Sequence, residues 1–111
     1  MKQFFFLTCL SIFGFSANAQ KIFSVDNENY ADVKVFVVDN ENYADLLVYK
    51  VSNENYVGEN DGKWFFVNNE NYADKKIYFV GNENYADLKI YFVDNENYAG
   101  WKNKSKRALL Y

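Results

Sequence analysis

Histidine and proline are absent from the chain, and its single cysteine is Cys9. Without histidine, and without cysteine beyond Cys9, the Ser-His and Cys-His nucleophile pairs have no parts to be built from. The His/Cys metal sites that staple many small domains go with them. Cys9 has no partner, so disulfides are excluded as well. The missing proline removes prolyl isomerisation as a source of slow folding steps. Beyond residue 19 the serines are Ser24, Ser52 and Ser105, none in a context that marks a nucleophile. Basic charge is also scarce. The chain has 12 Lys and Arg against 15 Asp and Glu, and a nucleic-acid face would need the opposite balance. The exception is the end of the chain, where Lys102, Lys104, Lys106 and Arg107 cluster; they read as a solvated terminus.

Long apolar runs are confined to the start. Met1-Lys2-Gln3 is a short positive segment, residues 4–15 are mostly apolar, and Ala17-Asn18-Ala19 precedes Gln20. This is the pattern of a secretory signal peptide over residues 1–19. It falls short of the roughly 20 apolar residues a membrane span needs. Leu7-Thr8-Cys9 comes too early in the run for a lipoprotein site. Removing Lys2 with the signal leaves 11 basic residues against 15 acidic ones, a net charge of −4. The expected product is a monomer of residues 20–111 in the cell envelope or outside the cell.

What the chain does contain is one tetrapeptide, NENY, six times, starting at Asn27, Asn40, Asn53, Asn69, Asn82 and Asn95. The spacing is 13 residues, with three more in the middle interval around Glu59-Asn60-Asp61-Gly62. Such an internal period decides the fold before any other signal. Between the copies lie apolar runs at residues 22–25, 35–38, 48–51, 64–67, 77–80 and 90–93. β-Branched and aromatic residues dominate them, which predicts short strands. A lysine precedes every run but one, where Leu47 stands. The third position of the runs accepts Ser24 and Lys50 as well as Phe66, so one face is core and the other mixed. A seventh, degraded run is expected from Lys102.

The residue before NENY is Asp, Ser, Asn or Gly, all turn formers. The residue two beyond its tyrosine is Asp32, Asp45, Asp74 or Asp87, with Gly58 and Gly100 as substitutes. Glycine in place of aspartate suggests a backbone requirement more than a carboxylate one. The block therefore reads as a repeated bend.

These elements resemble the septoil-knot family of small β-repeat proteins. They stand as Lys34-Val35-Phe36-Val37-Val38-Asp39 followed by Ala44-Asp45, and again as Lys89-Ile90-Tyr91-Phe92-Val93-Asp94. Three units, a longer central loop, three more units and a final strand complete the resemblance. Gly58, Gly100 and the polar segment 102–111 depart from the pattern. The resemblance implies a backbone wound twice around one axis as a deep seven-crossing torus knot, with no assigned activity. The expected fold is thus all-β, a closed array of about seven short strand units. Closure is expected between the first and last strands, with Trp101 beside Ile22 and Phe23.

No residue is singled out as catalytic, cofactor-binding or metal-binding. Glu28, Glu41, Glu54, Glu70, Glu83 and Glu96 sit in six similar settings, whereas a catalytic carboxylate pair needs a special one. The expected function is a non-enzymatic structural or binding module, its partner unknown. The alternative is a calcium- or carbohydrate-binding module using the NENY blocks. Asp26-Asn27-Glu28-Asn29 offers oxygens, but Ala31 and Val37 stand where an EF-hand loop has its glycine and final glutamate. The row of Tyr30, Tyr43, Tyr56, Tyr72, Tyr85 and Tyr98 is either a recognition surface or a set of rings closing over the core, and the second is favoured.

Overall fold

The computed structural model describes residues 20–53 and 60–111. The signal peptide expected over residues 1–19, and with it the domain boundary at Gln20, falls on residues outside this range, as do Glu54, Tyr56 and Gly58. Among the described residues seven strands form: β1 (Gln20–Ser24), β2 (Val33–Val37), β3 (Leu46–Lys50), β4 (Lys63–Phe66), β5 (Lys75–Phe79), β6 (Leu88–Phe92) and β7 (Gly100–Trp101). The first six overlap the apolar runs but begin one or two residues earlier. The reason lies in the ladder: Val33, Leu46 and Leu88 already pair with neighbouring strands. The last valine of each run lies past its strand, yet its N–H still donates across. Val25 reaches Ile77 O at 2.8 Å and Val80 reaches Val35 O at 2.9 Å.

Strand order runs β4-β1-β5-β2-β6-β3, and β3 pairs with β4 again, so the six strands close on themselves. All six pairings are parallel. Strands β1, β2 and β3 make a first circuit of the ring, and β4, β5 and β6 make a second one in the gaps. Each chain step thus passes over one strand of the other circuit. The step from β3 to β4 alone joins direct neighbours, and there the repeat lengthens. Closure leaves the ring no free edge.

The core is stacked inside this ring. Ile22, Val35, Val48, Trp64, Ile77 and Ile90, the first apolar residue of each run, are all fully buried. Val33, Leu46 and Leu88 form a second layer two residues earlier. Gly62 occupies the equivalent position before Trp64. Its φ is +92°, and a Cβ there would run into the backbone oxygen of Leu47. At the mixed third position Ser24, Val37, Lys50 and Phe79 are exposed and Phe66 and Phe92 half-buried, as the residue types predict.

The end of the chain differs from expectation. β7 is not a further parallel strand from Lys102; it is the pair Gly100–Trp101, antiparallel to Leu46 and Leu47 of β3. Closure does not involve it, because β4 already joins β3 to β1. The polar residues that follow form a 3₁₀ helix, Lys104–Leu110, capped by Asn103. This tail is docked. Leu110 is buried in the core cluster. Its carbonyl accepts Gln20 Nε2 at 2.7 Å, and the Arg107 carbonyl accepts Asn60 Nδ2 at 2.7 Å.

Candidate functional site

Each fully described NENY copy folds into one 3₁₀ turn. In the first, Asn27 is extended and its side-chain oxygen accepts the N–H of Asn29 at 2.9 Å. Tyr30 N–H then donates to Asn27 O at 3.0 Å and Ala31 N–H to Glu28 O at 3.2 Å. The copies at Asn40, Asn69, Asn82 and Asn95 repeat this geometry. Asparagine suits the position because its carbonyl satisfies a backbone donor at the turn entry. The block is the bend its flanking residues predict.

The aspartate two beyond the tyrosine acts through its carboxylate, not through the backbone requirement that its glycine substitutes suggest. Asp32, Asp45, Asp74 and Asp87 have no positive φ. Instead each carboxylate accepts a backbone N–H from a lysine of an adjacent strand, at 2.9–3.0 Å. The backbone N–H of the same aspartate donates to that lysine's carbonyl, at 2.7–2.8 Å. The requirement is therefore for the carboxylate, which locks one circuit to the other with charge-assisted bonds. One departure fits this account. By the 53-residue offset that links Asp74 to Lys21 and Asp87 to Lys34, Gly100 faces Leu47, the one run without its lysine. There the antiparallel bridge to β7 takes over.

Three of the described NENY glutamates are surface partners. Glu28, Glu70 and Glu83 lie 3.6, 3.9 and 3.8 Å from Lys34, Lys76 and Lys89. Such exposed pairs contribute little stability. Among the described residues no group of three or more His, Cys, Asp or Glu could hold a metal ion. Asn27 Oδ1 and Asp32 Oδ2 each accept a backbone N–H. The basic tail is split in function: Lys106 turns inward to Asp45 Oδ2 at 3.4 Å and Asp87 O at 3.0 Å, so the cluster is not one solvated patch.

The described NENY tyrosines do not close over the core. Tyr30, Tyr43, Tyr72, Tyr85 and Tyr98 are each between 67 % and 70 % exposed. Beside three of them run open grooves. One, of about 510 Å³, is lined by Phe36, Asp39, Tyr43, Glu83 and Lys89 among others. A second, of about 460 Å³, has Phe65, Asn68, Asn69, Tyr72 and Lys21 in its lining. A third, of about 410 Å³, includes Tyr78, Tyr85 and Glu28. The strand aromatic lies seven residues before its tyrosine each time. That spacing was in the sequence, but only the turn geometry shows that both rings serve one groove.

Two interleaved circuits, a 13-residue repeat and a lengthened hand-over between β3 and β4 are now in place. A family model for the 7(1) septoil knot domain matches residues 19–102. The chain belongs to the 7(1) septoil knot domain family. The match spans the closed ring, β7 and the NENY turns, so the all-β, knot-like repeat fold is common to the septoil knot domain. The 3₁₀ helix Lys104–Leu110 lies beyond the matched residues. No curated protein matches the chain.

Proposed function

We propose that this septoil knot domain is an exported, non-enzymatic module that binds at or outside the cell envelope. One observation carries the reading. In every described repeat the asparagine caps a turn or the aspartate locks a strand, while the tyrosine is left facing solvent. Aromatic surface repeated in this way is suited to contact with a partner, and the closed barrel holds it rigidly. Export is supported by the signal-like segment ahead of Gln20.

Expression of the full chain in a Gram-negative host, followed by fractionation and intact mass, tests the reading. The expected product begins at Gln20 and is recovered from the envelope fraction or the medium. A product that keeps residues 1–19 and stays in the cytosol would refute it.

A further inference from the structure

We propose that the grooves beside the NENY tyrosines are binding sites for an uncharged polysaccharide built of pyranose rings. This rests on the reading of the domain as a binding module and names its ligand class. Three features of the grooves select that class.

The first is their pairing of aromatic and polar groups. Phe36 with Tyr43, Phe65 with Tyr72, and Tyr78 with Tyr85 each bring a strand ring and an exposed tyrosine to one groove. A pyranose ring has an apolar C–H face that can lie on an aromatic side chain, and a rim of hydroxyls. Each hydroxyl both donates and accepts, so it can join the Glu83–Lys89 pair, or meet Asn68 and Asn69, without adding an unpaired charge. The volumes, about 410 to 510 Å³, lie within the usual range for small-ligand sites, about 300–1,000 Å³.

The second is what the grooves disfavour. The ring is closed, so an extended peptide has no edge among its six strands to join. A polyproline segment offers only carbonyl acceptors, which would leave Asp39 and Glu83 facing acceptors. A polyanion would suit Lys21 in the second groove but would meet Asp39 and Glu83 in the first and Glu28 in the third, so it does not fit the three together.

The third is repetition. Grooves set by a 13-residue repeat around one barrel suit a ligand that is itself a repeat. Each contact can then be weak while the polymer is held by several at once.

The test uses the chain from Gln20 onward with ¹³C-labelled tyrosine rings. It is titrated by NMR with cellohexaose, chitohexaose and mannohexaose, with the matching monosaccharides, and with a Pro-rich decapeptide. We expect ring signals of Tyr43, Tyr72 and Tyr85 to shift with at least one hexaose and at least about tenfold more weakly with its monosaccharide. The triple variant Tyr43→Ala, Tyr72→Ala, Tyr85→Ala should lose that binding while keeping its far-ultraviolet circular dichroism, because all three side chains are mainly exposed. The inference is overturned by no shift with any hexaose at about 10 mM. It is equally overturned by sugar binding that survives in the triple variant, or by tyrosine shifts with the peptide alone. Export of the unaltered chain separates the two readings. Export without sugar binding leaves the module standing and removes the polysaccharide, whereas a product that keeps residues 1–19 and stays in the cytosol removes the module.

Discussion

Asp45 and Lys89 hold each other by two hydrogen bonds: the Asp45 N–H donates to the Lys89 carbonyl at 2.7 Å, and the Asp45 carboxylate accepts the Lys89 N–H at 2.9 Å. Asp45 is the buried member of the four such locks, at 8 % exposure. Its other oxygen accepts Asn103 Nδ2 at 3.3 Å, and its carbonyl accepts the N–H groups of Lys102 and Asn103. One aspartate thus ties β6 and the C-terminal tail to the start of β3. Asp45→Ala should cost about 2–3 kcal/mol, and Asp32→Ala, at an exposed lock, about 1 kcal/mol. Equilibrium denaturation of both variants checks the order. Equal costs would mean that the tail contacts add nothing.

Gly62→Ala should destabilise by at least about 2 kcal/mol, because the site combines positive φ with a backbone oxygen in the path of any Cβ. Gly81→Ala is the control. Nothing lies within 4 Å of its added carbon, so its cost should stay within about 0.5 kcal/mol. A shift of thermal midpoint in the first variant and none in the second is the expected pair of results.

Removing the chain from Lys102 onward should leave a folded but weaker barrel. Closure runs through β3 and β4, so no strand of the ring is lost. The burial of Leu110 is lost, and Leu110→Ala alone should cost about 2–5 kcal/mol. Circular dichroism and a cooperative denaturation curve of the truncated chain check this. An unfolded or aggregated product would show that the tail is needed for closure.

Unfolding of the intact chain should be slow, with a relaxation time of about hours or longer in denaturant, beyond that of many small domains. Neither circuit can leave the ring without disturbing the other, so local fraying does not lead to opening. Proline isomerisation and disulfide exchange cannot supply a slow phase in residues 20–111, which contain neither proline nor cysteine. Stopped-flow and manual-mixing fluorescence of Trp64 and Trp101 follow the reaction. Complete unfolding within seconds would contradict the interleaved path.

The period of 13, the six strands and the turn at each fully described NENY block are legible because each is a local pattern. Strand starts were misplaced by one or two residues because Val33 and Leu46 continue the inward alternation across a lysine or Leu47. The aspartate locks were not legible, since their partners lie 44 or 53 residues away and the bond is to backbone. The joint departure of Leu47 and Gly100 from the repeat was the only sequence trace of them. The outward tyrosines went the same way: aromatic residues are usually core, and only the 3₁₀ geometry turns Tyr30 and its equivalents away. The last unit was misread because its register repeated while its residues did not. Leu110, the residue that docks the tail, lies outside the 13-residue pattern.

The interleaving of two circuits is tested most directly by backbone proton contacts in the nuclear Overhauser spectrum of the chain from Gln20 onward. The account predicts parallel-strand contacts between Phe23 and Lys76 and between Lys34 and Tyr78, which set β5 between β1 and β2. Contacts that instead pair β1 directly with β2, with none from either to β5, would mean a simple sequential array and would contradict it.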